Sequence, residues 1–158
     1  MIFRKILKNN DAVSISIGFM LMLAITVLIF SALIISFYTL SQRTEKSAMT
    51  ESFRIIGSGL AIKITNMDTM VNVTKSYGGS VNSLEYEFPV SQSIAGKSYA
   101  MNITNSSYEI IIEAENGAKV VIPFNTSVNF IGRKIYSGAE NYILYYNSST
   151  DSINIEEQ

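Results

Sequence analysis

Hydrophobic and polar positions divide the chain into three stretches with different periods. From Ala12 to Gln42 there are 31 residues without a charge, and the centre reads IGFMLMLAITVLIFSALIISFY. A helix that crosses the hydrocarbon of a bilayer needs roughly 20 apolar residues. A core helix of a soluble domain is seldom apolar on every face over such a length. The pattern therefore predicts a transmembrane helix over residues 13–40. A cleaved secretory signal has a shorter apolar region and ends in a small-residue cleavage site. Here the segment instead runs on into SQRTEKSAMT, which reads as continued helix.

Beyond Ser41 the apolar residues recur at Met49, Phe53, Ile56, Leu60, Ile64 and Met67, in steps of three and four. That spacing traces one face of a helix. Glu45, Lys46, Glu51 and Arg54 fall largely elsewhere. Gly57 and Gly59 each weaken the helix by ~1 kcal/mol relative to Ala. The expectation is one helix from about Val13 to Ile64, with residues 41–67 forming an amphipathic continuation of the membrane segment.

The period then changes to two. Leu84, Tyr86, Phe88 and Val90 alternate with polar neighbours, as a half-buried strand requires, and Tyr99, Met101 and Ile103 repeat the pattern. Two apolar runs, Tyr108–Ala114 and Ala118–Phe124, flank Asn116-Gly117, a strong hairpin signal. A two-residue turn there pairs Ile112 with Val121 and Ile111 with Ile122, so both faces carry apolar surface. Tyr142–Tyr146 and Ile153–Ile155 read as a last hairpin around Asn147–Asp151. Thr126–Ser137 is open to both strand and short helix. Pro123 points to an edge strand. The predicted architecture is α+β: a long N-terminal helix followed by a small antiparallel β-sheet head over residues 68–158, a lollipop.

Composition narrows the chemistry. The chain has no Cys, no His and no Trp. That excludes Cys/His zinc sites, iron–sulfur clusters, Ser-His-Asp triads and Cys-His dyads on this chain. The net charge of −1 offers no basic footprint for nucleic acid. From Ser41 onward there are 9 Lys and Arg against 12 Asp and Glu, whereas Arg4, Lys5 and Lys8 precede the apolar segment without an acid among the first eight residues. Residues 1–12 thus read as a short basic cytoplasmic leader.

Few residues invite chemistry. Glu85/Glu87 and Glu113/Glu115 have the spacing that puts each pair on one strand face, where carboxylates ligate calcium or act as acid and base. A solvated face that discourages edge pairing accounts for them better. Gly57-Ser-Gly59 and Gly78-Gly79 lack the following Gly-Lys-Ser/Thr of a phosphate loop and read as a helix irregularity and a turn. The nine tyrosines could form an adhesive or carbohydrate-binding surface, but strand residues with an apolar body and a wet hydroxyl are the simpler reading. No cofactor, metal or catalytic residue is expected.

Five N-x-Ser/Thr sequons, at Asn72, Asn102, Asn105, Asn125 and Asn147, all lie beyond the apolar segment. Lys and Arg flank that segment almost equally on both sides, at Arg4, Lys5 and Lys8 and at Arg43, Lys46 and Arg54. The sequons and the size of the head favour a cytoplasmic N-terminus and an extracellular C-terminal domain. Ser14 and Gly18 form a small-xxx-small pair that permits close approach of another helix.

The segment AVSISIGFMLMLAITV, Ala12–Val27, resembles the N-terminal hydrophobic motif of archaeal type IV pilins. The matching residues are Val13, Ser14, Ile17, Gly18, Leu21, Met22, Ala24, Ile25, Thr26 and Val27. Phe88–Ile103 is similar, more loosely, to a segment of uncharacterised archaeal pilin-like membrane proteins. The resemblance implies a class III signal peptide, a leader cut by a pilin-processing peptidase at the Ala12–Val13 bond. Asp11 stands where the family has Lys or Arg, Ile15 replaces its Pro, and Ile17 occupies the place of the acidic residue of bacterial-type pilins. The implied protein is a non-catalytic cell-surface subunit, minor or accessory, of a pilus-like filament or complex. Its partners would be membrane lipid and other copies or pilin-like subunits. The alternative is a permanently anchored extracellular binding module that does not polymerise.

Overall fold

The computed structural model describes residues 10–138 and 141–157, with side chains from Ile15 onward. The expected leader before Asn10 lies outside the described residues. The backbone of Ala12, Val13 and Ser14 is helical, but their side chains also lie outside the described residues. The chain divides into two units, residues 1–43 and 44–158. One helix, α1 (Asn10–Ser76), contributes to both.

In the first unit, α1 is apolar on all sides and exposed from Ile15 to Leu40. Its large side chains between Ile15 and Leu40 are 54–75 % exposed. The most apolar window has a mean hydropathy of 2.7, and none of it is buried. The helix is thus long and apolar enough to cross a membrane. Three of its hydroxyls turn inward on the backbone: Thr26, Ser31 and Thr39 donate to the carbonyls of Met22, Val27 and Ile35 at 2.8, 2.8 and 2.9 Å. A hydroxyl satisfied within its own helix needs no water, which is what a hydrocarbon surrounding demands.

In the second unit, α1 buries Met49, Phe53, Leu60, Ala61, Ile64, Met67 and Val71. The expected stripe is therefore the core face, with Ile56 partly buried beside it. The helix runs twelve residues past Ile64, because Val71 continues the step of four from Met67 and keeps that face covered. It ends in a Schellman motif. Gly79 N–H donates to Thr74 O and Gly78 N–H to Lys75 O, both at 2.9 Å, with Gly78 at φ +77°. Glycine takes that left-handed conformation without a steric penalty, and Lys75 in the last turn complements the helix dipole.

Eight strands follow: β1 (Ser83–Pro89), β2 (Tyr99–Thr104), β3 (Glu109–Ala114), β4 (Lys119–Pro123), β5 (Asn129–Phe130), β6 (Arg133–Tyr136), β7 (Asn141–Asn147) and β8 (Ser152–Glu157). They form two four-stranded sheets, β1-β7-β8-β5 (sheet 1) and β4-β3-β2-β6 (sheet 2). Every pair is antiparallel except β5 with β8, a parallel pair of two residues. The open segment Thr126–Ser137 supplies β5 to sheet 1 and β6 to sheet 2, so it carries the chain from one sheet to the other. Pro123 ends β4 on an edge of sheet 2, as expected. The two sheets and the α1 stripe share one core.

The Asn116-Gly117 hairpin differs from expectation by one position. Ile112 pairs with Val120, Ile111 with Val121, and Ile110 with Ile122. The loop has three residues, Glu115–Gly117: Gly117 N–H donates to Ala114 O at 3.0 Å, and Ala114 N–H donates to Ala118 O at 2.9 Å. Gly117 sits at φ +78°, the left-handed position that closes a three-residue hairpin. Asn116 Oδ1 accepts from Ala118 N–H at 3.1 Å and holds the turn. A one-residue slip exchanges the faces of a strand. The observed register buries Ile110 and Ile112 and leaves Val121 exposed. Glu115 therefore lies in the loop and does not share a strand face with Glu113.

Candidate membrane segment and modification sites

Among the described residues, the apolar segment Ile15–Leu40 presents a large hydrophobic surface that meets nothing within the chain. Gly18, half of the expected small-residue pair, has open space where a Cβ would stand. Exposed apolar side chains also occur on α1 within the second unit. Ile55, Ile62 and Val73 are 66 %, 59 % and 51 % exposed. Their helical spacing puts them on the side away from Phe53, Leu60 and Ile64.

The five sequon asparagines fall in different surroundings. Asn105 is exposed in the turn between β2 and β3, and Asn125 is exposed in the loop after β4. Asn147 ends β7, half-buried, and its Oδ1 accepts from Ser149 N–H at 3.0 Å. Asn102 lies in β2, an inner strand, opposite Ile111 and Lys134. Asn72 lies within α1, and its amide nitrogen donates to Ser127 Oγ at 2.6 Å. Loops present an asparagine to a modifying enzyme; a paired helical asparagine does not.

The carboxylates are dispersed. Glu85 and Glu87 project from β1, an edge strand, opposite Tyr145 and Ile143. Glu113 pairs with Lys119 at 3.6 Å. Among the described residues no group of three His, Cys, Asp or Glu is placed to hold a metal.

The most heavily bonded carboxylate was not legible as a functional position. Asp68 Oδ1, on α1, accepts from Ser127 N–H (2.8 Å), Val128 N–H (2.9 Å), Thr126 Oγ1 (3.0 Å) and Ser127 Oγ (3.1 Å). Burial pushes its carboxyl up, but the N–H bonds from Val128 and Ser127 and the two hydroxyls outweigh that and hold it below the ordinary carboxylate value. Asp151 is also held low, first by Lys75 at 2.6 Å and then by the Tyr146 hydroxyl at 2.8 Å. Both ties fasten α1 to the strands.

A family model described as "Family of unknown function (DUF7266)" matches residues 8–156. Nothing matches among curated proteins or among solved structures.

Proposed function

The chain belongs to DUF7266, a family of unknown function, and we propose that it is a non-catalytic, pilin-like cell-surface protein. Its N-terminal helix spans the membrane once, and the same helix packs against other copies or pilin-like subunits in a filament or complex. One observation carries this reading: the apolar side chains of α1 from Ile15 to Leu40 are exposed on every face. So large an apolar surface is not stable in water. Lipid covers it completely, and so does a bundle of like helices. The resemblance of Ala12–Val27 to archaeal type IV pilins adds assembly to anchoring. Within the second unit, the exposed Ile55, Ile62 and Val73 offer apolar surface of their own to a neighbouring helix.

The head lies outside the cell, with the basic leader in the cytoplasm, and Asn105 and Asn125 are glycosylated. A pilin-processing peptidase cuts the leader at Ala12–Val13. Intact mass and N-terminal sequencing of the protein from its native membranes test this. A chain beginning at Val13 supports processing and assembly. A chain that keeps Met1–Ala12 removes the processed-pilin reading and leaves a permanent anchor.

A further inference from the structure

Sheet 2 has a gap on its solvent face. Ala100 in β2 lies opposite Glu113 of β3 on one side and Tyr136 of β6 on the other. Tyr99 and Met101 are buried, and side chains alternate along a strand, so Ala100 faces outward. Neighbouring strands are ~4.8 Å apart, which stands Glu113 and Tyr136 about 10 Å apart across a single methyl group. The space between them is a cavity of 350 Å³, which Ser98, Glu115 and Ser137 also line. That size is within the range of small-molecule sites, about 300–1,000 Å³. The wall is braced where β6 ends. Tyr99 N–H donates to Ser137 Oγ at 3.0 Å, and Ser137 N–H donates to Tyr99 O at 2.9 Å.

The lining selects a class of ligand. Tyr136 is 60 % exposed and offers a broad apolar ring. Glu113 and Glu115 are acceptors only, and no Lys or Arg lines the cavity. An anion is repelled. A wholly apolar ligand would strip water from the carboxylates and give nothing back. A cation gains less, because Lys119 at 3.6 Å already offsets the charge of Glu113 and Lys134 Nζ lies 5.1 Å from the Tyr136 ring centre, while both groups stay open to a neutral donor. A neutral ring with an apolar C–H face and a rim of hydroxyl donors satisfies each wall. Its C–H face lies on Tyr136, the Ala100 methyl gives it room, and its hydroxyls donate to Glu113 and Glu115. We propose that this cavity binds a neutral saccharide. The proposal goes beyond anchoring and assembly and stands whether or not α1 associates with other helices.

The test uses the full chain in lipid nanodiscs, since the sugar of an alkyl-glycoside detergent would compete. Glucose, galactose, mannose, N-acetylglucosamine and their disaccharides are titrated and followed by saturation-transfer NMR. At least one of them should take up saturation through its ring C–H protons. Tyr136→Ala and Ala100→Ile, the second filling the gap with a good strand former, should each weaken that binding about tenfold or more, ~1.4 kcal/mol. Lys97→Ala, outside the cavity, should leave it unchanged. No transfer to any sugar would overturn the proposal. So would binding that survives both cavity variants, or a response confined to amines such as arginine methyl ester.

Discussion

Asp68 on α1 accepts a hydrogen bond from the backbone N–H of Val128, 60 residues further along, at 2.9 Å. The same oxygen takes Ser127 N–H at 2.8 Å. One carboxylate on the helix thereby fixes the start of the segment that carries the chain from sheet 2 to sheet 1. Val128 and Phe130, just beyond it, are buried.

Asp68→Ala leaves those N–H groups without a protein partner. Ser127 is exposed, so water can take its N–H, and the part-buried Val128 N–H bears the loss. A hydrogen bond is worth about 0.5–1.5 kcal/mol net, so the variant should unfold at lower urea. The loss should depend on pH. Asp68 is held below its ordinary value when folded, so its contribution is complete above the unfolded value of about 4. It is lost as pH falls through the folded value. Tyrosine fluorescence in urea at pH 7 and pH 3 should show a gap between wild type and Asp68→Ala that narrows at the lower pH. An equal gap at both would mean that the carboxylate charge is irrelevant.

Gly57 and Gly59 should respond in opposite directions. Gly57 is buried, and a Cβ there would run into Ile122 Cδ1 and approach Ile112 Cδ1 to 3.3 Å. Gly57→Leu forces sheet 2 away from the helix and should cost about 1–3 kcal/mol or more. Gly59 has nothing within 4 Å of a built Cβ, so Gly59→Ala should gain up to ~1 kcal/mol of helix stability. Thermal unfolding of the two variants separates these effects.

Glycan occupancy should follow local structure. Peptide mapping of protein from its native membranes should find hexose-containing adducts at Asn105 and Asn125 and none at Asn72. Occupancy at Asn72 would require the Ser127 contact and the surrounding helix to open.

Much of this fold was legible, and the failures have separate causes. The stripe Met49–Met67 is legible because a helix buried on one face imposes its period directly. Its end was placed too early because Asn66, Asp68, Thr69 and Asn72 dilute the pattern, although Val71 keeps it. The hairpin was located by Asn116-Gly117, but its register was missed because Glu115 enters the loop, which a two-residue turn does not allow. Thr126–Ser137 is not legible because it splits between two sheets: Asn129–Phe130 pairs in parallel with Ser152–Ile153, Arg133–Tyr136 pairs with Ala100–Ile103, and its anchor Asp68 lies about 60 residues before it. The gap at Ala100 is invisible in sequence, since it depends on which residues of β3 and β6 fall opposite. The apolar segment needed no tertiary information, because its signal is length alone.

If α1 is shielded from water by lipid or by other helices while the head lies outside the cell, the two differ in their access to a reagent that cannot cross the membrane. The chain has no native cysteine, so single-cysteine variants report cleanly. Ser107→Cys, in the exposed β2–β3 turn, and Ser31→Cys, within the apolar segment, are expressed separately and treated in intact cells with a membrane-impermeant maleimide. Full labelling is expected at position 107, and none at position 31 until the membrane is dissolved and the protein unfolded. Labelling at position 31 in intact cells, or at position 107 only after lysis, would contradict this arrangement.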